Sequence, residues 1–148
     1  MQSETTGGAP ASSSAAGGGS GGPLRHGQIM HIQEIVEHQQ REESGTTTPN
    51  SLHNHSVRVM GTVVEFDVGR NRATLEYNGY TLPVDTSLLS QIPFHTGSLY
   101  QLIGELQNAP PYTLQVRVVR NVDGLDTRLY EETLKLRRQF EQEQANRQ

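Results

Sequence analysis

The 148-residue chain has no cysteine and no tryptophan, three phenylalanines, five tyrosines and a single lysine, Lys135. Without cysteine there is no disulfide scaffold, no thiolate zinc site, no thiol redox chemistry and no cysteine nucleophile. No apolar run approaches the roughly 18 residues that a membrane-crossing helix needs. The N-terminus lacks a basic stretch followed by an apolar one, so no secretory signal is expected, which leaves cytoplasm or nucleus and no membrane partner. The net charge of −4 argues against a protein that coats nucleic acid by bulk charge. Apolar residues make up only 32% of the chain, and the deficit is local. Of the first 22 residues, 16 are Gly, Ser or Ala and none is Leu, Ile, Val or aromatic. Such a stretch cannot bury enough surface to offset its chain entropy, so residues 1–22 are expected to form a disordered tail.

From Pro23 the pattern changes. Leu24, Ile29, Met30, Ile32, Ile35 and Val36 suggest a short strand or a turn of helix, and their spacing leaves both open. Residues 37–54 are then polar, with Ser44-Gly45 and Thr48-Pro49, and read as a loop. Val57, Val59, Gly61 and Val63 alternate with Arg58, Met60, Thr62 and Val64, a long strand with Gly at its centre, as at a bulge or tight bend. Ala73–Tyr77 and Tyr80–Val84 flank Asn78-Gly79, the pairing a two-residue type I′ hairpin requires. Pro83 cannot donate to a ladder, which places the second arm at an open edge. Asp85 or Thr86 is expected to cap a short helix over Ser87–Ile92, stopped by Pro93. Leu99–Leu106, with an internal Gly104, and the alternating Tyr112, Leu114, Val116 and Val118 complete five strands. This order predicts an all-β fold with flanking helices: a five-stranded OB-fold barrel over 23–124 and a long C-terminal helix over 125–148.

In that last segment the apolar period becomes 3.6. Leu125, Leu129, Thr133, Leu136 and Phe140 fall within about 80° of one another, and Tyr130 and Leu134 form a second stripe roughly 100° round. One stripe suffices to dock the helix on the barrel. The surplus pair, Tyr130 and Leu134 beside Arg137 and Glu141, reads as a seam for a partner helix, against the alternative that the helix simply wraps its own barrel. On this reading Tyr130→Asp with Leu134→Asp abolishes partner binding and leaves the barrel folded.

No Walker loop, nucleophile elbow or HExxH motif occurs, so no enzyme is expected. His53 and His55 are the only close histidine pair and lack a third ligand; neither a metal nor a cofactor is expected. Glu42-Glu43 and Glu131-Glu132 read as solvated pairs. An OB barrel binds single strands by stacking bases on aromatics while cations follow the backbone. The candidates are Tyr77 and Tyr80 with Arg58, Arg72, Arg117 and Arg120. In the competing arrangement the tyrosines cover the hairpin base and the arginines pair with Glu65, Glu76 and Glu105.

Gly97-Ser98-Leu99-Tyr100, Gly104-Glu105-Leu106-Gln107, the Arg-Val strand after Tyr112, and Asp123-Gly124-Leu125 leading into a Glu/Arg-rich helix resemble the smallest subunit of CST. CST is the trimeric telomere-capping complex related to replication protein A. The resemblance spans about residues 55–145 and is closest over 97–145. Leu129-Tyr130-Glu131-Glu132 with Leu134-Lys135 is also similar to the C-terminal helix of replication protein A's smallest subunit. The Gly/Ser/Ala tail and the 37–54 insertion depart from the pattern. The resemblance implies a non-catalytic OB-fold subunit that pairs with the middle subunit through its C-terminal helix, here by Leu129, Tyr130, Leu134, Leu136 and Phe140. It implies a nuclear, telomeric complex with the large subunit, weak contact of this subunit with single-stranded telomeric DNA, and indirect support of DNA polymerase α–primase in fill-in synthesis. A small subunit of a general replication trimer, and a free-standing single-strand binder, are the alternatives.

Overall fold

The computed structural model describes residues 27–91, 94–108 and 111–147. The expected tail, Pro23, Leu24, Ile92, Pro93 and Pro110 lie outside the described residues. In chain order the elements are β1 (Gln28–Ile29), α1 (Ile32–Glu43), β2 (Ser56–Asp67), β3 (Arg72–Tyr77), β4 (Tyr80–Asp85), β5 (Leu99–Asn108), β6 (Tyr112–Asn121) and α2 (Thr127–Asn146).

β2 to β6 close a five-stranded barrel in the order β2-β3-β4-β6-β5, with β5 returning to β2, and β1 adds a parallel pair outside β2. This is the OB-fold architecture read from the strand order. β2 is long enough to serve both sides: Ser56–Thr62 pair with β5 and Thr62–Asp67 with β3. Its register shift falls between Val63 and Glu65 rather than at Gly61. Gly61 has a different task, since a Cβ there would stand 2.7 Å from Leu75 Cγ, a contact real side chains do not make. Gly104 does mark a bulge, and a Cβ there would collide with the Gln115 carbonyl. The Asn78-Gly79 turn has positive φ at both residues, 54° and 85°, as type I′ demands. β4, which carries Pro83, pairs with β6 only at Val84 and Asp85, so Pro83 does lie at the thin seam.

Alternate residues of every strand point inward. Val57, Val59, Val63, Leu75, Leu82, Val84, Tyr100, Leu102, Leu106, Leu114 and Val116 are fully buried. Ile32 and Ile35 of α1 join this core and close one end of the barrel.

Two expectations are corrected. Residues 37–54 are not all loop, because α1 runs to Glu43, where Gly45 at φ 81° takes the left-handed conformation that ends a helix. Its polar composition is that of a helix meeting the barrel on one face only, with a Gln33–Glu37 side-chain pair one turn apart on its open side and Gln39 accepting the Tyr112 N–H at 2.8 Å on the barrel side. Between β4 and β5 no helix forms among the described residues either. Asp85 Oδ1 accepts the Ser87 N–H at 2.8 Å and Leu89 N–H bonds the Thr86 carbonyl at 3.0 Å, a capped turn that goes no further.

Candidate partner interface and nucleic-acid face

Asp126 starts α2 by accepting the Leu129 N–H at 3.1 Å. The helix is tied to the barrel by few apolar groups: Leu134, at 6% exposure, is its one fully buried residue, and Tyr130 is half-buried. The remainder of the attachment is polar. Glu131 Oε1 accepts from His31 Nε2 and Oε2 from the Tyr77 hydroxyl, each at 2.7 Å. Arg138 donates twice to Glu34, at 3.0 and 3.1 Å, and once to the Ile29 carbonyl at 2.9 Å. Glu34 also accepts the His31 N–H at 2.7 Å, so one carboxylate caps α1 and anchors α2. Burial alone would raise the Glu34 pKa, but the Arg138 hydrogen bonds and the His31 N–H outweigh it and hold the carboxyl below its ordinary value. Burial, and then the bond to Glu131, pushes the Tyr77 hydroxyl well above the usual phenol range. Between α2 and the β1–β2 edge a groove of about 1050 Å³ remains, bordered by Gln28, Met30, Arg58, Leu134, Arg137 and Arg138, so the helix spans the barrel wall rather than lying flush on it.

The two stripes of α2 are placed the opposite way round to that expected. Tyr130 and Leu134 face the barrel, whereas Leu125, Leu129, Thr133, Leu136 and Phe140 are exposed, Leu136 at 65% and Phe140 at 60%. The physical reason lies in residues far away in sequence: His31, Glu34 and Tyr77 supply the partners for Glu131 and Arg138, which sit beside Tyr130 and Leu134 on the same side of the helix. Tyr130→Asp with Leu134→Asp would undock the helix, so it does not isolate partner binding. Arg137 is exposed and pairs with Glu141 at 3.2 Å, at the border of the free face. Leu129, Thr133, Leu136 and Phe140 are spaced 4, 3 and 4 residues apart, the alternation of d and a positions in a heptad.

The proposed nucleic-acid residues do not form one surface. Inward parity continues from Leu75 to Tyr77 and from Leu82 back to Tyr80, so both tyrosines turn towards the end of the barrel that α1 closes. Tyr77 stacks on His31 with ring centroids 6.3 Å apart. Neither is an outward platform for a base. Arg117 makes a forked contact with Glu105 through Nε and Nη2, with N···O distances of 2.6 to 3.0 Å, which raises its pKa. Arg72 and Arg120 are exposed; Arg58 lines the groove beneath α2. Arg72 pairs in register with Asp67, nine residues along β2 from Arg58, or roughly 30 Å. Arg120 lies opposite Gln101 on β5, nearer Arg58 than Arg72.

One site escaped the sequence reading. The Glu42 side chain, 7% exposed, accepts from the Asn50 and Ser51 N–H groups, the Ser51 hydroxyl and the Tyr112 hydroxyl, at 2.7 to 3.2 Å, with His38 Nε2 at 3.1 Å. Burial raises its pKa, but these bonds, led by that of Tyr112, leave the pKa lowered. Glu42 is thus a buried organiser of the 44–54 loop, not a solvated carboxylate, and Glu131 likewise is half-buried and engaged. Among the described residues no group of three or more His, Asp or Glu is placed to hold a metal ion, and no helix is long and apolar enough to cross a membrane.

A family model described as telomere-capping, CST complex subunit (Ten1) matches residues 24–144. The CST complex subunit TEN1 of Arabidopsis thaliana is 38% identical over 94 residues, which cover 62% of this chain and 74% of that protein. Among solved structures, a chain of the S. pombe Stn1–Ten1 complex superposes with a TM-score of 0.60 at 13% identity, covering 79% of this chain and 96% of that one. A chain of U. maydis replication protein A bound to single-stranded DNA gives 0.57 at 11% identity, covering 80% and 94%. At such identities the structural likeness speaks to the shared OB fold.

Proposed function

The chain belongs to the Ten1 family of telomere-capping CST complex subunits, and we propose that it is a non-catalytic scaffold subunit that binds the middle CST subunit through α2. The observation that carries this is the row Leu129, Thr133, Leu136 and Phe140, left open on a helix whose other side is clasped to the barrel. A helix fixed in orientation by Arg138–Glu34 and Glu131–His31 presents that row without first having to be ordered, which lowers the entropic cost of association. Leu125, at 41% exposure just before the helix, extends the same surface towards the barrel.

In this reading the subunit stabilises the middle subunit and, through the assembly with the large subunit, supports chromosome-end capping and lagging-strand fill-in by DNA polymerase α–primase in the nucleus. Its own share of binding to single-stranded telomeric DNA is small. With Tyr77 and Tyr80 packed against the core there is no outward stacking pair, and the exposed cations Arg72 and Arg120 stand on separate strands, β3 and β6. Co-purification of the full chain with the middle CST subunit of the same organism tests the proposal. Leu136→Asp should abolish the complex while the barrel remains folded; a complex indifferent to Leu136 would place the interface elsewhere.

A further inference from the structure

The free face of α2 is complementary to itself. With Leu129 and Leu136 at d and Thr133 and Phe140 at a, Glu132 falls at g and Arg137 at the following e position, five residues on. Those are the two positions whose side chains meet across a parallel two-stranded coiled coil. We propose that, without its partner, α2 pairs in parallel with α2 of a second copy of this chain, through the seam assigned above to the middle subunit, so that self-association and assembly exclude one another.

The inference rests on that assignment of the seam and adds the competing occupant. In a parallel pair each Glu132 meets Arg137 of the other copy, giving two reciprocal ion pairs; an antiparallel pair sets g beside g and e beside e, so Glu132 and Arg137 no longer meet. Leu129 and Leu136 supply the Leu at d, and Thr133 a β-branched residue at a, of the pattern that favours two strands in a parallel pair; Phe140 at the second a position departs from it. Among the described residues Glu132 pairs with Arg128 at 4.0 Å and Arg137 with Glu141 at 3.2 Å, and all four side chains are more than half exposed, so re-aiming them costs little. Tyr130, Glu131, Leu134 and Arg138, which hold the barrel, centre roughly 145° round from the seam, leaving the approach of a second helix clear. Two heptads bury far less than the ~1,600 Å² of a standard stable interface, so the dimer should be weak, with a Kd on the order of 100 μM.

Sedimentation equilibrium of the full chain between about 10 μM and 1 mM tests this, with helicity of each variant checked by circular dichroism. The wild-type mass should rise from one chain to two, and Leu136→Asp should hold it at one. Arg137→Glu, which sets a second carboxylate against Glu132 of the other copy, should weaken the dimer about tenfold, and adding Glu132→Arg should restore it to within about threefold. A chain that stays monomeric to 1 mM, a Leu136→Asp dimer, or a double variant that fails to recover overturns the parallel pairing. Titrating in the middle subunit should convert dimer into one-to-one complex; an assembly holding two copies of each would overturn the exclusivity. A monomeric chain that still needs Leu136 to bind the middle subunit would refute self-pairing alone. A dimer that needs Leu136, with middle-subunit binding that does not, would refute the functional assignment.

Discussion

Glu42 shows how one carboxylate can organise a segment that composition marks as loop. Two backbone N–H groups, two hydroxyls and the His38 ring converge on it, so its replacement leaves the part-buried Ser51 donors and the Tyr112 hydroxyl short of an acceptor. Glu42→Gln should lower stability by about 2–3 kcal/mol at neutral pH, read by urea unfolding. The pH dependence follows from the sign of the shift. A carboxyl whose pKa is lowered on folding contributes stability fully above its unfolded value, near 4.5, and loses it as pH falls through the lower folded value. The gap between wild type and Glu42→Gln should therefore narrow below about pH 4; a constant gap would mean that the charge on Glu42 contributes nothing. Gly104→Ala should be at least as damaging, because its Cβ meets the Gln115 backbone rather than a movable side chain. Gly104 was legible as an internal glycine of a strand, while the bend was read at Gly61, where the register runs unbroken. Glu42 was not, because its partners Asn50, Ser51 and Tyr112 are brought to it only by the closed barrel.

Among the elements, the five strands, the Asn-Gly hairpin and the C-terminal helix were legible because alternation, turn chemistry and a 3.6 period are local signals. α1 was not, since beyond Val36 it has no apolar residue, although Ile32, Ile35 and Val36 at helical spacing and the stop at Gly45 were its available trace. The choice between the stripes of α2 was out of reach for another reason. Both are apolar, and what selects the docked one is a set of contacts to residues as far as 109 positions away. Two consequences separate the faces. Leu136→Asp with Phe140→Asp should remove middle-subunit binding by at least 100-fold, roughly the loss of two interface anchors, with the unfolding midpoint of the chain unchanged. Arg138→Gln should instead loosen α2, seen as faster amide exchange from Thr127 onward, and weaken partner binding only modestly. Equal effects of the two changes on binding and exchange would mean that the faces are not distinct.

At the scale of the whole molecule, the barrel strands from Ser56 to Asn121 balance five arginines against five carboxylates, the chain as a whole is net acidic, and Tyr77 and Tyr80 pack against the core. Alone, the chain should bind single-stranded telomeric DNA weakly, and with a shallow salt dependence that reflects one or two phosphate contacts. Tyr77→Ala and Tyr80→Ala should not change that binding, whereas a stacking role would cost about 1–3 kcal/mol per base. The fold and family could be reached from the order of strands and a few short motifs. The surface could not, because side-chain parity at the barrel end and the choice of helix face are products of the closed structure.

Whether the exposed face of α2 is the seam for the middle CST subunit is decided by the affinity of the full chain for that subunit, measured by isothermal titration for wild type, Leu136→Asp and Tyr77→Ala. Wild type should form a tight one-to-one complex, Leu136→Asp should show no measurable binding, and Tyr77→Ala should bind nearly as wild type does. Undiminished binding by Leu136→Asp would contradict this assignment.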